Sequence, residues 1–377
     1  MLQGPGLVYS ALCFLLVIGP LVFVHEFGHY LAGRACGVKA DIFSIGFGRA
    51  LIGWTDRRGT RWKIGWLPLG GYVKFAGDMS PASTPTREWL SLPAEERART
   101  FQAKKLWQRF AIVAAGPLTN FLFAVLLFIG VFAVAGYPTT PAIVSSVLSG
   151  SAADRAGLVP GDRILAIGGK EIENFKELSD YVMIRPGADV TLVLQRQGEQ
   201  LRVPVTLADK EVVDRFDNHA RIGQLGISPK AMMFEKLPLH RLPGRALAET
   251  RDTLEMILVT TRQLIMGERS VHELGGPLKI AQFSGQQASL GLLPLVWLMA
   301  LISINLGFIN LLPIPLLDGG HLLFYLYEGV RRKPLKPEAQ EWAFKAGLAA
   351  LLMLMVFVTL NDLASFGLWT RLGGLIG

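Results

Sequence analysis

Charge is what this chain has least of: 18% of its 377 residues are Asp, Glu, Lys or Arg, against about 25% in a typical soluble domain. That deficit excludes a fully water-solvated surface. The 51% hydrophobic content and mean hydropathy of +0.37 point to lipid instead. Cysteine is nearly absent as well. Cys13 falls inside an apolar run and Cys36 just beyond it, so no disulfide framework is expected and the redox compartment is left open. The first residues carry no positive charge, and no small-residue cleavage site closes the first apolar run. That run is expected to remain as a membrane segment rather than leave as a signal. A net charge of +8 would suit nucleic acid only if it clustered on a folded soluble surface. Here Lys and Arg fall mostly between apolar blocks, as in loops that flank membrane helices. No nucleic-acid partner is expected; the lipid bilayer is.

Four stretches are long and apolar enough to cross a bilayer, which takes about 20 residues of helix. They are predicted at about 7–32, within the uncharged run Phe110–Ala135, at about 291–312, and around Ala346–Asn361, with Trp342 and Trp369 as interface anchors. Residues 34–109 hold 14 Lys/Arg against 6 Asp/Glu, and Arg331, Arg332, Lys333 and Lys336 sit between the third and fourth spans. Four crossings put both loops on one side, predicted to be cytoplasmic, and the long 136–289 segment outside.

Residues 41–76 do not read as helix. Ile42, Ser44, Gly46 and Gly48 alternate with Phe43, Ile45 and Phe47; Asp56-Arg57-Arg58-Gly59 supplies a turn; Trp62, Ile64 and Trp66 alternate again. The pattern predicts a hairpin, either an ordinary loop or a sheet that receives an extended substrate by strand addition. Residues 138–208 show short β-rich runs (Ala142–Leu148, Arg163–Ile167, Val190–Arg196, Leu201–Leu207) around helical stretches at Ser151–Ala156 and Phe175–Met183. Within them, Gly157-Leu158-Val159-Pro160-Gly161-Asp162-Arg163-Ile164, followed by Ile167-Gly168-Gly169, resembles the signature of bacterial PDZ domains. Such domains hold a peptide as an added strand, so a peptide ligand is a possible partner, with a peptide-free spacer as the alternative. The signature occurs once, with no second copy in residues 209–289.

The first apolar span contains His25-Glu26-Phe27-Gly28-His29. On a helix, positions i and i+4 are offset by about 40° and one turn. Both imidazoles then leave from one face and can grip a zinc ion, with Glu26 beside them as a base for water. Ionisable residues inside a membrane span are expensive and mark function. Catalytic zinc takes three protein ligands and keeps one position open. The best third ligand is Asp318, at the end of Asn310-Leu311-Leu312-Pro313-Ile314-Pro315-Leu316-Leu317-Asp318-Gly319-Gly320-His321. There Pro313 and Pro315 break the helix and free backbone groups that only a protein-lined or wet cavity tolerates. His321 is the rival ligand, read as a supporting residue because a carboxylate also lowers the net charge of the site. His219, His240 and His272 show no ligand spacing.

H-E-F-G-H in a first membrane helix, joined to N-x-x-P-x-P-x-x-D-G near the end of a later one, resembles the site-2 protease family of intramembrane zinc metalloproteases. Gly116-Pro117-Leu118-Thr119-Asn120, Pro68-Leu69-Gly70-Gly71-Tyr72-Val73-Lys74 and Gly275-Gly276-Pro277 are similar to further motifs of its bacterial RseP-like branch. The resemblance implies His25, His29 and Asp318 as zinc ligands and Glu26 as catalytic base. It implies Asn310 as a group that positions the substrate or stabilises the oxyanion, and accessory roles for Asn120, Pro313 and Pro315. Implied substrates are single-pass membrane proteins such as anti-sigma factors, already trimmed by an upstream site-1 protease. Cleavage would release a cytoplasmic effector.

The expected fold is an α-helical membrane protein with four transmembrane helices, a membrane-associated β-hairpin or sheet, and an extracytoplasmic PDZ-like α+β domain. Its divisions are a first span with H-E-x-x-H (1–36), a cytoplasmic loop with the hairpin (37–106), a second span (107–136) and a periplasmic PDZ domain (137–208). A periplasmic connector with an amphipathic helix (209–289), a third span (290–320), and a cytoplasmic loop with the fourth span (321–377) complete it. The expected location is the bacterial inner (plasma) membrane, with the active site near the cytoplasmic side. A catalytically silent adaptor that binds partners through its PDZ domain is the alternative. A metal transporter would show paired internal repeats, and the four spans show none.

Overall fold

A computed structural model of the chain describes residues 6–77, 89, 92–213, 219–231, 233–267 and 275–365; Trp369 and His272 lie outside them. It divides into two compact units, residues 1–131 with 239–377 and residues 132–238.

Among its described residues, the first unit carries four helices long and apolar enough to cross a membrane. They are α1 (Leu7–Ala35), α3 (Leu106–Ala135), α8 (Leu292–Leu311) and α10 (Pro337–Ser365), with a short α2 (Ala94–Ala98) between the first two. The first two run about a turn longer than hydropathy alone predicts, because α1 continues past His29 to Arg34 and α3 starts before Arg109. Leu12, Leu16, Leu118, Leu122, Leu126 and Met353 are exposed along the spans, as expected of side chains solvated by lipid rather than packed. Helices α6 (Leu242–Ile265), α7 (Pro277–Leu290) and α9 (Asp318–Arg331) complete the unit, and α7 packs along α1.

Strands β1 (Ala40–Thr55) and β2 (Arg61–Phe75) form the predicted hairpin. Its turn is held by Asp56, whose Oδ1 accepts from the Arg58 and Thr60 amides at 2.8 and 2.9 Å, while Gly59 takes φ +81°. The register goes beyond a hairpin. Ser44 is opposite both Lys63 and Tyr72, and Phe43 opposite both Trp62 and Val73. Residues 42–45 therefore lie between two segments of β2, which leaves 71–75 as an outer segment beside α1. Gly71 makes that approach possible: a Cβ there would crowd Glu26 Cγ at 2.8 Å and Val22 Cγ1 at 2.9 Å.

The second unit contains β3 (Tyr137–Thr139), β4 (Val144–Val147), α4 (Ala152–Arg155), β5 (Arg163–Ile167), β6 (Lys170–Glu171), α5 (Phe175–Met183), β7 (Asp189–Arg196) and β8 (Glu199–Thr206). The hairpin β9 (Ala208–Val213) and β10 (His219–Gln224), then β11 (Ile227–Pro229) and β12 (Met233–Glu235), follow. The main sheet has the order β6-β5-β7-β8. Helix α5 starts where sequence places it, with Asn174 Oδ1 accepting from the Glu177 amide at 3.0 Å.

One boundary needs correction. The unit ends at Pro238, not at 208, so the stretch 209–289 is not one connector. Strand β11 pairs with β4, Leu225 lies in the same core as Ile164 and Leu192, and the Ala153 and Leu148 amides donate to Leu225 and Gly226 carbonyls at 2.8 and 2.9 Å. Without β11, β4 would leave backbone groups unpaired inside the domain.

Asp162 anchors this core. It is 0% exposed, and its carboxylate accepts from Arg196 Nε and Nη2 at 2.7 and 2.8 Å and from the Val159 amide at 2.9 Å. Although burial opposes ionisation, the Arg196 and Val159 bonds hold its pKa below the usual 3.8. A depressed carboxylate pKa gives stability that is complete above the unfolded value and is lost as pH falls through the folded one. In the full-length protein, Asp162→Ala should speed exchange of the β5 and β7 amides on the order of tenfold at neutral pH. Below about pH 4 the gap from wild type should shrink. Equal exchange at pH 7 would remove the anchoring role.

Candidate metalloprotease centre

Glu26 and the two histidines sit in the second half of α1, and α3 lies across them. The polypeptide makes that approach with two glycines. A Cβ on Gly28 would overlap Thr119 and the Ala115 carbonyl, and one on Gly116 would overlap the His29 ring. The Thr119 hydroxyl is shared between the Gly116 carbonyl of its own helix at 2.7 Å and the Val24 carbonyl at 3.1 Å, which brings the backbone of α1 against α3 within the apolar layer.

Asp318 arrives from the other side. Helix α8 stops at Leu311; Pro313 and Pro315 lie in the tight turn that follows, closed by Ile314 N–H to Leu312 O at 2.7 Å and Leu317 N–H to Ile314 O at 3.1 Å. Leu316 takes φ +96°, a conformation that L side chains rarely adopt. Asp318 then opens α9, whose first turn folds back on the Leu311–Pro315 segment. Gly319 and Gly320 permit this, because a Cβ on either would strike the carbonyls of Leu311, Leu312 or Ile314.

The result is convergence of three ligand atoms. Asp318 Oδ2 lies 3.2 Å from His25 Nε2 and 3.3 Å from His29 Nε2, and the two Nε2 atoms are 3.3 Å apart. Zinc bonds to nitrogen and oxygen are about 2.0–2.1 Å, so tetrahedral ligands stand about 3.3 Å from each other. The spacing fits. Among the described residues, His25, His29 and Asp318 are the one cluster of three or more His, Cys, Asp or Glu side chains close enough to share an ion. His29 Nδ1 donates to the Ile112 carbonyl at 2.9 Å, which leaves Nε2 of the neutral ring with its lone pair directed at the other two atoms.

Around these atoms is a cavity of about 310 Å³, lined by Glu26, Val73, Asn310, Leu316, His321 and Tyr325 among others. Glu26 is buried and accepts a hydrogen bond from the Val73 backbone. Asn310 lines the cavity, and its Nδ2 donates to the Leu306 carbonyl at 3.0 Å. His321 lines the same cavity outside the three-atom cluster, its ring 5.2 Å from Phe344. Asn120, fully buried, brings its amide nitrogen to 3.2 Å from His25 Nδ1. The Ile112 carbonyl and the Val73 amide are functional groups that no sequence motif announces, since any residue type supplies them. His240 lies in the segment before α6, away from this cluster.

Comparison with known proteins places the chain among metalloproteases. Atu1380 of Agrobacterium fabrum, which carries a zinc metalloprotease name, is 45% identical over 357 residues, 93% of this chain and 95% of its own length. Metalloprotease MmpA of Caulobacter vibrioides is 36% identical over 394 residues, 98% of this chain and 99% of its own. Among solved structures, the PDZ domain of an SdrC-like protein from Listeria monocytogenes is 21% identical, covering 25% of this chain and 88% of that one at a TM-score of 0.19. The pattern of Peptidase family M50 matches residues 13–354, and the chain belongs to that family of zinc metalloproteases.

Proposed function

We propose that the protein cleaves single-pass membrane proteins within or at the edge of their transmembrane segments. The observation that carries the reading is the triangle of His25 Nε2, His29 Nε2 and Asp318 Oδ2, built from one membrane-length helix and the helix that opens just after another, far apart in sequence. These three side chains would hold the zinc ion, and Glu26 is the catalytic base. Zinc, when bound, supplies a Lewis acid that acidifies water and carries developing negative charge. Glu26 takes a proton from water as the hydroxyl adds to the scissile carbonyl carbon, then delivers it to the amide nitrogen as the C–N bond breaks. Asn310, which lines the same cavity, would donate an Nδ2 hydrogen to the carbonyl oxygen as its charge grows.

A helical substrate hides its carbonyls in intrahelical bonds, so it has to be drawn out before attack. Residues 71–75 are suited to receive it. One edge pairs with 40–45, and the other borders the cavity through Gly71, Tyr72, Val73 and Phe75. An extended segment added there would lie beside Glu26. The exposed Leu51, Ile52, Trp54 and Trp66 suit a sheet that dips into lipid. In the PDZ-like unit, a groove of about 240 Å³ between α5 (Leu178, Val182) and residues 222–227 is a place for a peptide.

The basic loops favour a cytoplasmic site, a periplasmic PDZ-like unit and residence in the bacterial inner membrane. On this orientation anti-sigma factors trimmed by a site-1 protease are the natural substrates, and the product is a released cytoplasmic effector. The test is to incubate purified protein in nanodiscs with a single-pass substrate and map the cut by mass spectrometry. The expected cut falls within the apolar segment or its cytoplasmic border. Cuts confined to the soluble domain would overturn the intramembrane reading.

A further inference from the structure

Three residues of α3 address the two imidazoles from one stripe. Ile112, Gly116 and Asn120 follow at i, i+4 and i+8, a spacing that keeps them on one face over about 12 Å of helix. At one end the Ile112 carbonyl accepts from His29 Nδ1 at 2.9 Å; at the other the Asn120 amide meets His25 Nδ1 at 3.2 Å. Between them Gly116 is bare because the His29 ring occupies the space of its Cβ. The stripe is fixed at both sides, since Thr119 Oγ1 bonds the Val24 carbonyl of α1 and Ser303 Oγ of α8 donates to the Asn120 carbonyl at 2.8 Å.

The Asn120 amide has two orientations, and they choose different tautomers of His25. With Nδ2 toward the ring, as drawn, Nδ1 must be the acceptor. The neutral imidazole then carries its hydrogen on Nε2 and donates to Asp318, 3.2 Å away. That arrangement closes the triangle with a proton. With the amide turned over, Oδ1 accepts from Nδ1–H, and Nε2 presents a lone pair, as His29 Nε2 already does. Buried Asn120 Oδ1 has no partner in the first orientation, and in the second it gains one in Nδ1–H. A cation between the three ligand atoms decides in favour of the second.

We infer that Asn120 is the positioning residue for His25: turned with Oδ1 on Nδ1–H, it fixes the metal-binding tautomer, as the Ile112 carbonyl does for His29. This rests on the zinc-site reading given above. Outer partners of this kind typically change metal affinity 10–100-fold.

The test uses full-length Glu26→Gln protein in detergent, which separates binding from turnover, with zinc affinity read by competition against a chelator. Asn120→Leu should weaken zinc 10–100-fold. Asn120→Asp, which can only accept, should hold zinc at least as tightly as Asn. A merely structural role predicts the opposite, because a carboxylate against an unprotonated Nδ1 would be repelled. Equal affinity for Leu and Asn, or weakening by Asp to the level of Leu, overturns the inference while leaving the zinc site standing. Absence of zinc binding in the Asn120 parent overturns both. If Asn120→Leu does not fold, the comparison of Asp with Asn alone decides.

Discussion

Glu26→Gln should cut proteolysis by roughly 10²–10⁴-fold while leaving the zinc in place. Gln has nearly the shape of Glu and can still accept the Val73 hydrogen bond, so the side chain has every reason to stay where it is. What it loses is the capacity to take a proton from water and return one to the leaving nitrogen. The residue does not belong to the three converging atoms, so metal content measured on the purified variant should match wild type. This pairing of results separates base from ligand. A variant that still cleaves at the wild-type rate would exclude Glu26 as the base, and one that arrives without zinc would place it in the metal site instead.

Much of this centre is legible before any coordinates. H-E-x-x-H on an apolar helix gives two imidazoles on one face, and the paired prolines ahead of Asp318 mark a broken helix inside a hydrophobic run. Those signals are strong because side-chain chemistry and local periodicity carry them. Other contributions are invisible for an equally physical reason. The Ile112 carbonyl and Val73 amide are backbone groups, so no residue type reports them. Leu316 at φ +96° breaks the preference of its own side chain, held by a turn whose shape depends on α9 folding back on it. Gly116 looks like an ordinary helix glycine until the His29 ring is found in its Cβ position. The domain boundary at 208 failed through short range. Residues 227–229 are too few, and end in Pro229, to read as strand, and only pairing with β4, some eighty residues earlier, makes them one.

The second large effect concerns Asp318. Two neutral imidazoles alone leave the full double charge of zinc in a site walled by apolar helices, and burying an uncompensated charge there is costly. The carboxylate halves that charge and contributes the ligand atom nearest both histidines, at 3.2 and 3.3 Å. Asn at this position keeps the shape and removes the charge. Loss of an outer partner costs 10–100-fold in metal affinity, so loss of a charged ligand should exceed about 100-fold. The same change should appear in stability. A ligand at 100 times its dissociation constant stabilises the folded state by about 2.7 kcal/mol, so added zinc should raise the melting temperature of the wild-type protein and leave Asp318→Asn nearly unmoved. His321, which shares the cavity, is the nearby imidazole able to stand in. If Asp318→Asn binds zinc as well as wild type and Asp318→Asn/His321→Ala does not, the third ligand is the histidine. The helix break at Pro313 and Pro315 would then serve to deliver residue 321 rather than residue 318.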